Sequence, residues 1–428
     1  MNPEYKRVIL DNGITVVGEM HPHLRSVCVG VWVKVGSRHE TANANGMSHF
    51  IEHMVFKGTK SRAPLEIATA IESLGGDLNA FTDREYTCYH ATVLSEHLSV
   101  ALDVLGELVT VPRFPRDEME RERKVLLQEL SMVQETPDDW IHDLFFETTW
   151  KNHPLGQGII GSKKTLLSTT RRHLVSFFED HYRPESMVIS VAGNFDFEKL
   201  RSQCEKIFQF TDCQQRLLIS TKKPQFSAAS RHITVDTEQL HVMMGYPGTS
   251  YQDPDRFDSL VLGFFLGGGM SSRLFQEIRE KAGLAYSVDA ECVSFSDAGL
   301  MTIYMGMSPN SYQQAMGIIE REIGDLVSKP LPEESIKLVK GQLKGTVLLM
   351  ADQMEVRQES LGRNEMVFGR HVPVSEVIEA IDKVNSESLF KMAKKIFGVK
   401  RHAMVTLGPK KPISKPKRKV KSGRKRKG

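Results

Sequence analysis

Cysteine is scarce in this sequence, and its few copies follow no recognisable pattern. The 428 residues contain five cysteines, an odd number, scattered without a Cys-x-x-Cys pair. A disulfide framework needs paired cysteines in an oxidising compartment, and a thiolate metal site needs closely spaced ones. The pattern therefore argues against both and favours core or surface thiols in a reducing compartment.

Long apolar runs are missing as well. No stretch approaches the roughly 20 apolar residues that span a bilayer, so we predict that the chain has no membrane span. Residues 1–5 lead almost directly into an apparent strand at residues 7–10. That start leaves no room for a secretory signal or an Arg-rich transit peptide. We therefore expect a cytoplasmic protein.

Acidic residues are absent from the end of the chain. Residues 410–428 contain eleven Lys or Arg residues and no Asp or Glu. A solvated, disordered tail is the simplest interpretation, and the alternatives are contact with nucleic acid, the ribosome or another anionic surface. The tail has no aromatic residues that would stack on bases, and its sequence does not distinguish these partners.

The most informative segment that is present is a His-x-x-Glu-His motif at residues 49–53. Residues four apart on a helix share a face, so His49 and His53 can hold one metal ion, for which zinc is the natural candidate. Glu52 lies about 60° away around the same helix and can reach a water molecule at that ion. The opposite face would pack in the core through Met47, Phe50, Ile51 and Met54.

A third zinc ligand is predicted on a second helix, between Pro115 and Thr136. Its buried stripe, at steps of three and four residues, consists of Met119, Glu122, Leu126, Glu129 and Val133. Buried carboxylates are unfavourable without a cation or strong hydrogen-bond partners, and zinc would satisfy one of the two glutamates. The alternative is pairing with Arg121, Arg123 or Lys124, which point to other faces of the helix.

These residues resemble the zinc site of the pitrilysin/insulinase-like metallopeptidases, whose inverted His-x-x-Glu-His motif is followed by a distant Glu ligand. Glu129 lies 76 positions after His53, which matches that family. Within the family, the chain is most similar to the short two-domain branch of bacterial processing proteases and the mitochondrial processing peptidase β-subunit. The resemblance runs from about Val8 to Leu407, and its other segments lie at residues 45–48, 78–82, 85–87, 153–156, 265–269 and 278–287.

The resemblance and the motif together assign roles. One Zn²⁺ per chain would be held by His49, His53 and Glu129, with Glu52 acting first as general base and then as general acid. Glu122 would orient a ligand histidine without binding the metal itself. The resemblance further implies that Arg279 and Tyr286 hold the substrate carbonyl or the negative charge that develops on it.

Two further segments are candidates for binding substrate. An open sheet edge at residues 78–82 would let an extended peptide pair with Asn79, Ala80 and Phe81, although an ordinary buried strand is the alternative. Gly267, Gly268 and Gly269 would form a flexible loop near the substrate or simply end a helix. A phosphate cradle is disfavoured because no Gly-Lys-Ser/Thr follows.

The second half of the chain repeats the first without its metal-binding residues. An offset of 215 relates Leu174, Phe177, Tyr182 and Gly193 to Leu389, Met392, Phe397 and Gly408. At a similar offset of 217, Glu122 and Glu129 correspond to Val339 and Thr346, so no second zinc site is expected.

We therefore predict an α+β fold of two homologous domains, each a mainly antiparallel sheet covered by helices. Residues 1–215 would form the zinc-binding catalytic domain. Residues 225–409 would form a homologous domain that lacks the metal and supplies substrate-contacting residues, and residues 410–428 a basic disordered tail.

The predicted function is a zinc-dependent endopeptidase of the processing type, acting on extended peptides or unfolded segments. In the larger relatives the pair that Arg279 and Tyr286 resemble comes from the second, non-catalytic half of the molecule. The resemblance therefore implies that, in a chain of this size, the pair comes from a partner subunit, and we expect a homodimer in which each zinc domain faces the Arg279/Tyr286 pair of the other chain. The alternatives are a non-catalytic scaffold or interaction subunit of the same fold, and a nucleic-acid-associated protein acting through its basic tail. The physiological substrate is not encoded in any motif of the sequence.

Overall fold

A computed structural model describes residues 4–210, 222–399 and 401–409. The predicted basic tail, 410–428, and most of the predicted boundary between the halves lie outside these residues. Within them the chain forms two β-sheets with helices packed on both. None of the described helices combines the length and apolar character that crossing a membrane requires.

The first sheet lies in the N-terminal half and has six strands in the order β1-β2-β6-β3-β5-β4. The strands are β1 Glu4–Ile9, β2 Thr15–Met20, β3 Ser26–Val33, β4 Asp77–Thr82, β5 Thr87–Leu94 and β6 Met187–Gly193. All neighbours are antiparallel except β2 and β6. The helices of this half are α1 Met47–Val55, α2 Pro64–Glu72, α3 Leu98–Thr110, α4 Arg116–Glu135, α5 Pro137–Thr149, α6 Lys163–Ser168, α7 Arg171–His181 and α8 Phe197–Ile207.

The second sheet has five strands in the order β7-β11-β8-β10-β9, again with one parallel pair, β7 and β11. The strands are β7 Ser230–Thr234, β8 Leu240–Pro247, β9 Ala285–Ser294, β10 Gly299–Met307 and β11 Ala403–Gly408. Its helices are α9 Arg256–Gly267, a π-helix at Phe275–Glu280, α10 Tyr312–Ser328, α11 Glu333–Ala351, α12 Met354–Phe368, α13 Val374–Lys383 and α14 Ser386–Phe397.

The two sheets share one topology. Without β1, the first sheet reads β2-β6-β3-β5-β4, and each of these strands has a counterpart in the same place in β7-β11-β8-β10-β9. The predicted α+β fold with mainly antiparallel sheets is confirmed, and the predicted repeat falls on α7 with β6 and on α14 with β11. The domain boundaries themselves stay a prediction.

Each half covers the other half's sheet with one helix. Helix α12 of the second half packs on β2, β3 and β6, where Leu361 joins a buried cluster with Val17 and Trp32. Helix α5 of the first half packs on β8 and β11 through a cluster that joins Phe145 to Met243. The halves are thus interlocked through exchanged helices, which fixes the second half against the sheet that carries the candidate site.

Candidate metal centre and active site

Helix α1 has the two faces that the sequence predicts. Phe50, Ile51 and Met54 are fully buried in the first core, with relative exposures of 0%. The helix starts after Gly46, whose φ of +91° disfavours any other residue and where an added Cβ would lie 2.4 Å from the carbonyl oxygen of Ile160. The core face therefore fixes the rotation of α1, and its other face presents the histidines.

Helix α4 packs against α1 and brings the predicted third ligand to the histidine pair. One ligand atom each from His49, His53 and Glu129 lies within 4.8 Å of the others. Nε2 of His49 is 3.5 Å from one carboxylate oxygen of Glu129, and Nε2 of His53 is 3.7 Å from the other. Across the described residues, no other group of three His, Cys, Asp or Glu side chains meets this condition.

The geometry and chemistry of the three side chains fit zinc. Distances of 3.5 and 3.7 Å exceed the usual 2.7–3.2 Å of an N–H···O hydrogen bond. They are close to the roughly 3.4 Å that separates two ligands bound at about 2.1 Å around a tetrahedral ion. Two imidazoles and one carboxylate, with a fourth position left open, form a donor set typical of catalytic zinc.

The protonation of His49 also suits a metal. Burial, with a smaller effect of the neighbouring His53, lowers the pKa of His49 to about 3. The ring is therefore neutral at pH 7 and has a lone pair available for a metal, since ligating imidazoles bind in the neutral form.

Glu122, the predicted orienting residue, contacts one of the two histidines. Its Oε2 lies 3.1 Å from Nδ1 of His53, and its Oε1 lies 2.8 Å from the ammonium of Lys57. A carboxylate in this place fixes the ring so that Nε2 faces the metal position. The cationic partner of Glu122 is thus Lys57, not the basic residues considered on α4. Of those, Arg123 is buried and donates to Glu120 instead.

The candidate base, Glu52, is held by a hydroxyl that the sequence analysis did not single out. Thr82, the last residue of β4, donates from Oγ1 to Oε2 of Glu52 at 2.5 Å. Burial raises the pKa of Glu52, and Glu129 raises it further, whereas the hydrogen bond from Thr82 and the charge of His53 lower it. The only available signal for Thr82 was its position at the end of the predicted edge strand.

Strand β4 forms the edge of the first sheet within the described part of the chain, since it pairs with β5 alone. Asn79 is exposed, while Ala80 and Phe81 are half-buried. Phe81 packs edge-on against Trp32 and Tyr86. An open backbone edge therefore ends beside Glu52 and the metal trio of His49, His53 and Glu129. Substrate contact by Asn79, Ala80 and Phe81 stays a prediction.

Arg279 and Tyr286 contact each other in the second half of the chain. The Arg279 guanidinium is 5.5 Å from the centre of the Tyr286 ring, and Tyr286 is 75% exposed at the start of β9. No hydrogen bond or ion pair among the described residues joins either one to the metal trio or to Glu52. Tyr286 is therefore accessible on the surface of this chain, and the roles of both residues stay a prediction.

The glycine run Gly267–Gly269 lies at the end of helix α9 and just after it. Gly267 ends α9, and a Cβ there would lie 1.8 Å from the backbone nitrogen of Ala290 in β9. Gly268 adjoins the ring of Phe264, and Gly269 has a φ of +142° with open space around it. Close helix–strand packing and a helix end thus account for Gly267, while a role in substrate binding stays a prediction.

Comparison with known proteins bears on this arrangement. The profile of the insulinase family (peptidase family M16) matches residues 15–163, and that of the peptidase M16 inactive domain matches residues 168–343. An uncharacterized zinc protease of Bacillus subtilis, YmxG, is 38% identical over 94% of this chain and 98% of its own length. The chain belongs to peptidase family M16. The predicted resemblance to insulinase-like peptidases is thereby confirmed.

Other M16 relatives agree in length and fold. An uncharacterized zinc protease of Rickettsia felis is 36% identical over 91% of this chain and 94% of its own length. A crystal structure of a protease from Helicobacter pylori superposes with a TM-score of 0.89 at 22% identity, over 96% of this chain and 100% of the other. A peptidase M16 inactive domain from Pseudomonas fluorescens gives 0.87 at 19% identity, with the same coverage.

The two M16 profiles divide the chain in a way that agrees with the position of the candidate metal centre. The insulinase profile covers the half that contains the His-x-x-Glu-His motif and Glu129, and the profile named inactive covers the half in which the repeat places Val339 and Thr346. The fold superpositions support the two-sheet architecture and, at these identities, nothing beyond the fold.

Proposed function

We propose that this M16 chain is a zinc-dependent endopeptidase that hydrolyses peptide bonds in extended peptides or unfolded segments. The observation that carries the proposal is the convergence of His49, His53 and Glu129 within 4.8 Å of one another, with Glu52 on the same helix as the histidines. The names of its relatives, zinc proteases, agree with this assignment.

The three ligands would leave one coordination position for water or a substrate carbonyl. Zinc, when bound, supplies a Lewis acid that polarises a carbonyl and makes water a better nucleophile near neutral pH. The chain's part is to hold two imidazoles and one carboxylate in place and to orient His53 through Glu122.

Glu52 would move the proton in this reaction. Its Oε2 is held by Thr82, which leaves Oε1 to accept a proton from the attacking water. The same carboxyl would then deliver the proton to the departing amine. Burial raises the pKa of Glu52, which suits a group that must both take up and release a proton near neutral pH.

An extended substrate would bind along the edge of β4. The free backbone groups of an edge strand can form main-chain hydrogen bonds with an added strand whatever its sequence. In this position Asn79, Ala80 and Phe81 would lie along the substrate, and the strand end at Thr82 would place a peptide bond near Glu52.

We further propose that a second copy of the chain completes the site. Arg279 and Tyr286 contact each other, are joined to no metal ligand of their own chain among the described residues, and leave Tyr286 75% exposed. In a homodimer this pair, with Gly267–Gly269 nearby on the same half, would face the partner's zinc domain and hold the substrate carbonyl.

The catalytic proposal is tested with a peptide library. Zinc-loaded wild type should cleave extended peptides internally, whereas Glu52→Gln should bind zinc equally but cut nothing. His49→Ala should lose both zinc and activity. A wild type that binds zinc and cleaves nothing, like Glu52→Gln, would favour a non-catalytic scaffold of the same fold.

The dimer proposal has its own experiment. Glu52→Gln and Arg279→Ala chains are each inactive by this reasoning, because one lacks the base and the other lacks the donor. Mixing them should restore part of the activity, since one of the two sites in a mixed dimer would be intact. A mixture as inactive as its parents, in which exchange of subunits is shown by mass, would contradict sharing between chains.

A further inference from the structure

A buried carboxylate outside the metal trio caps the helix that carries both histidines. The N-cap residue of α1 is Gly46, which has no side chain to satisfy the first amides of the helix. Glu40, which follows the short 3-10 helix Ser37–His39, supplies the missing acceptors. Its Oε2 accepts from the Gly46 amide and its Oε1 from the Ser48 amide, both at 2.7 Å. The side-chain amide of Asn45 donates to Oε2 at 3.1 Å.

The burial of this carboxylate shows that it is a fixed part of the fold. Glu40 is only 2% exposed, so its oxygens have exchanged water for the amides of the helix start. A negative charge at a helix N-terminus is favoured by the helix dipole as well as by the hydrogen bonds it accepts. The first turn of α1 is therefore held from outside the helix by one side chain.

This cap bears on His49 more than on His53. Nδ1 of His53 has Glu122 as its partner, whereas Nδ1 of His49 is buried and has no hydrogen-bond partner among the described residues. A ligating histidine is normally oriented by a partner on its second nitrogen. His49 follows Ser48 directly, so its direction depends on the backbone that Glu40 holds and on packing.

We infer that Glu40 is a positioning residue for the metal centre, which holds the first turn of α1 so that His49 points at the metal. It serves His49 through the backbone as Glu122 serves His53 through its ring. The inference rests on the proposed function in one respect, namely that the trio binds zinc. It assigns Glu40 no contact with the metal, the substrate or the reacting atoms.

The test measures zinc affinity of the full chain by competition with a chromophoric chelator. Glu40→Gln keeps the shape of the side chain but turns one acceptor into a donor that faces a backbone N–H. It should weaken zinc binding by about 10- to 100-fold, as loss of outer support for a ligand does. Glu40→Asp keeps the carboxylate but is one methylene shorter, and its zinc affinity should lie between those of wild type and Glu40→Gln.

The matched control is Glu365→Gln. Glu365 is also a buried carboxylate, 8% exposed, but it lies on α12 on the opposite face of the first sheet and accepts from Arg7. This variant should lower the melting temperature and leave zinc affinity at the wild-type value. With cobalt in place of zinc, Glu40→Gln should also change the visible absorption bands, which report ligand geometry, and Glu365→Gln should not.

Each outcome decides the inference. Equal zinc affinity in wild type and in both Glu40 variants, or a loss in Glu40→Gln no larger than in the control, would show that Glu40 stabilises the fold alone and overturn it. If Glu40→Gln does not fold, Glu40→Asp decides in the same way. Wild type that binds no zinc would instead overturn the proposed function, and this inference with it.

Discussion

Removing the hydroxyl of Thr82 should slow peptide hydrolysis without weakening zinc binding. Thr82 donates to Oε2 of Glu52 at 2.5 Å, which is the only hydrogen bond that the described residues give this carboxylate. A hydrogen bond to a charged group contributes about 1.5–3 kcal/mol. If Thr82→Val loses all of it in the transition state, kcat should fall by about 10- to 150-fold.

The assay is steady-state cleavage of a fluorogenic peptide, with zinc content measured on the same samples. The expected change is in kcat, with KM and zinc content at wild-type values, because the substitution leaves the backbone edge of β4 and the three metal-binding side chains unchanged. Thr82→Ser keeps the hydroxyl and should retain most of the activity. A fully zinc-loaded Thr82→Val with wild-type kcat would refute the reasoning, and equal losses in both variants would show that the effect is not specific to the hydroxyl.

Three further predictions concern stability. Arg357→Met should leave Glu19, which is 1% exposed, without the guanidinium that binds it across the two halves. The unfolding free energy should therefore fall by about 3–5 kcal/mol. An unchanged denaturation midpoint would contradict this prediction. Burial lowers the pKa of His39 from 6.5 to about 4, so the unfolded chain takes up more protons than the folded chain as pH falls from 6.5 to 4. Denaturation at both pH values should show that wild type loses about 3 kcal/mol of unfolding free energy over this window and that His39→Gln does not. Chelation of zinc should lower the melting temperature, and zinc at about 1,000 times its Kd should restore about 4 kcal/mol of unfolding free energy. A His49→Ala chain that responded equally to zinc would argue against the trio as the binding site.

The elements of the metal centre could be predicted because periodicity sets which side chains share a face. The steps of three and four from Met119 to Val133 give the helix that the structure places at Arg116–Glu135. The two-faced pattern around His49 likewise gives α1. Glu122 and Glu129 stood out because carboxylates in an apolar stripe require a partner, and the structure supplies His53 and Lys57 to one and the histidine pair to the other.

What the sequence did not reveal are contacts between segments that no local pattern links. Glu40 caps a helix that starts seven residues later, and Thr82 reaches Glu52 from a strand thirty positions away. A single threonine or glutamate in a polar stretch has no periodic signature, so only the tertiary fold identifies its partner.

The amphipathic pattern of a helix shows that one of its faces is buried, but it does not identify the element that packs against that face. Helices α5 and α12 are related by the internal repeat, and each packs on the sheet of the opposite half. Nothing in either helix alone specifies that exchange.

The exchange of α5 and α12 bears on how this protein can be divided. A fragment ending near residue 215 would leave Trp32 and its buried neighbours bare on one side of the first sheet, and would carry α5 with no surface to cover. Neither half is therefore a self-sufficient folding unit, and a proteolytic cut in the connecting segment should yield two pieces that stay associated and unfold together.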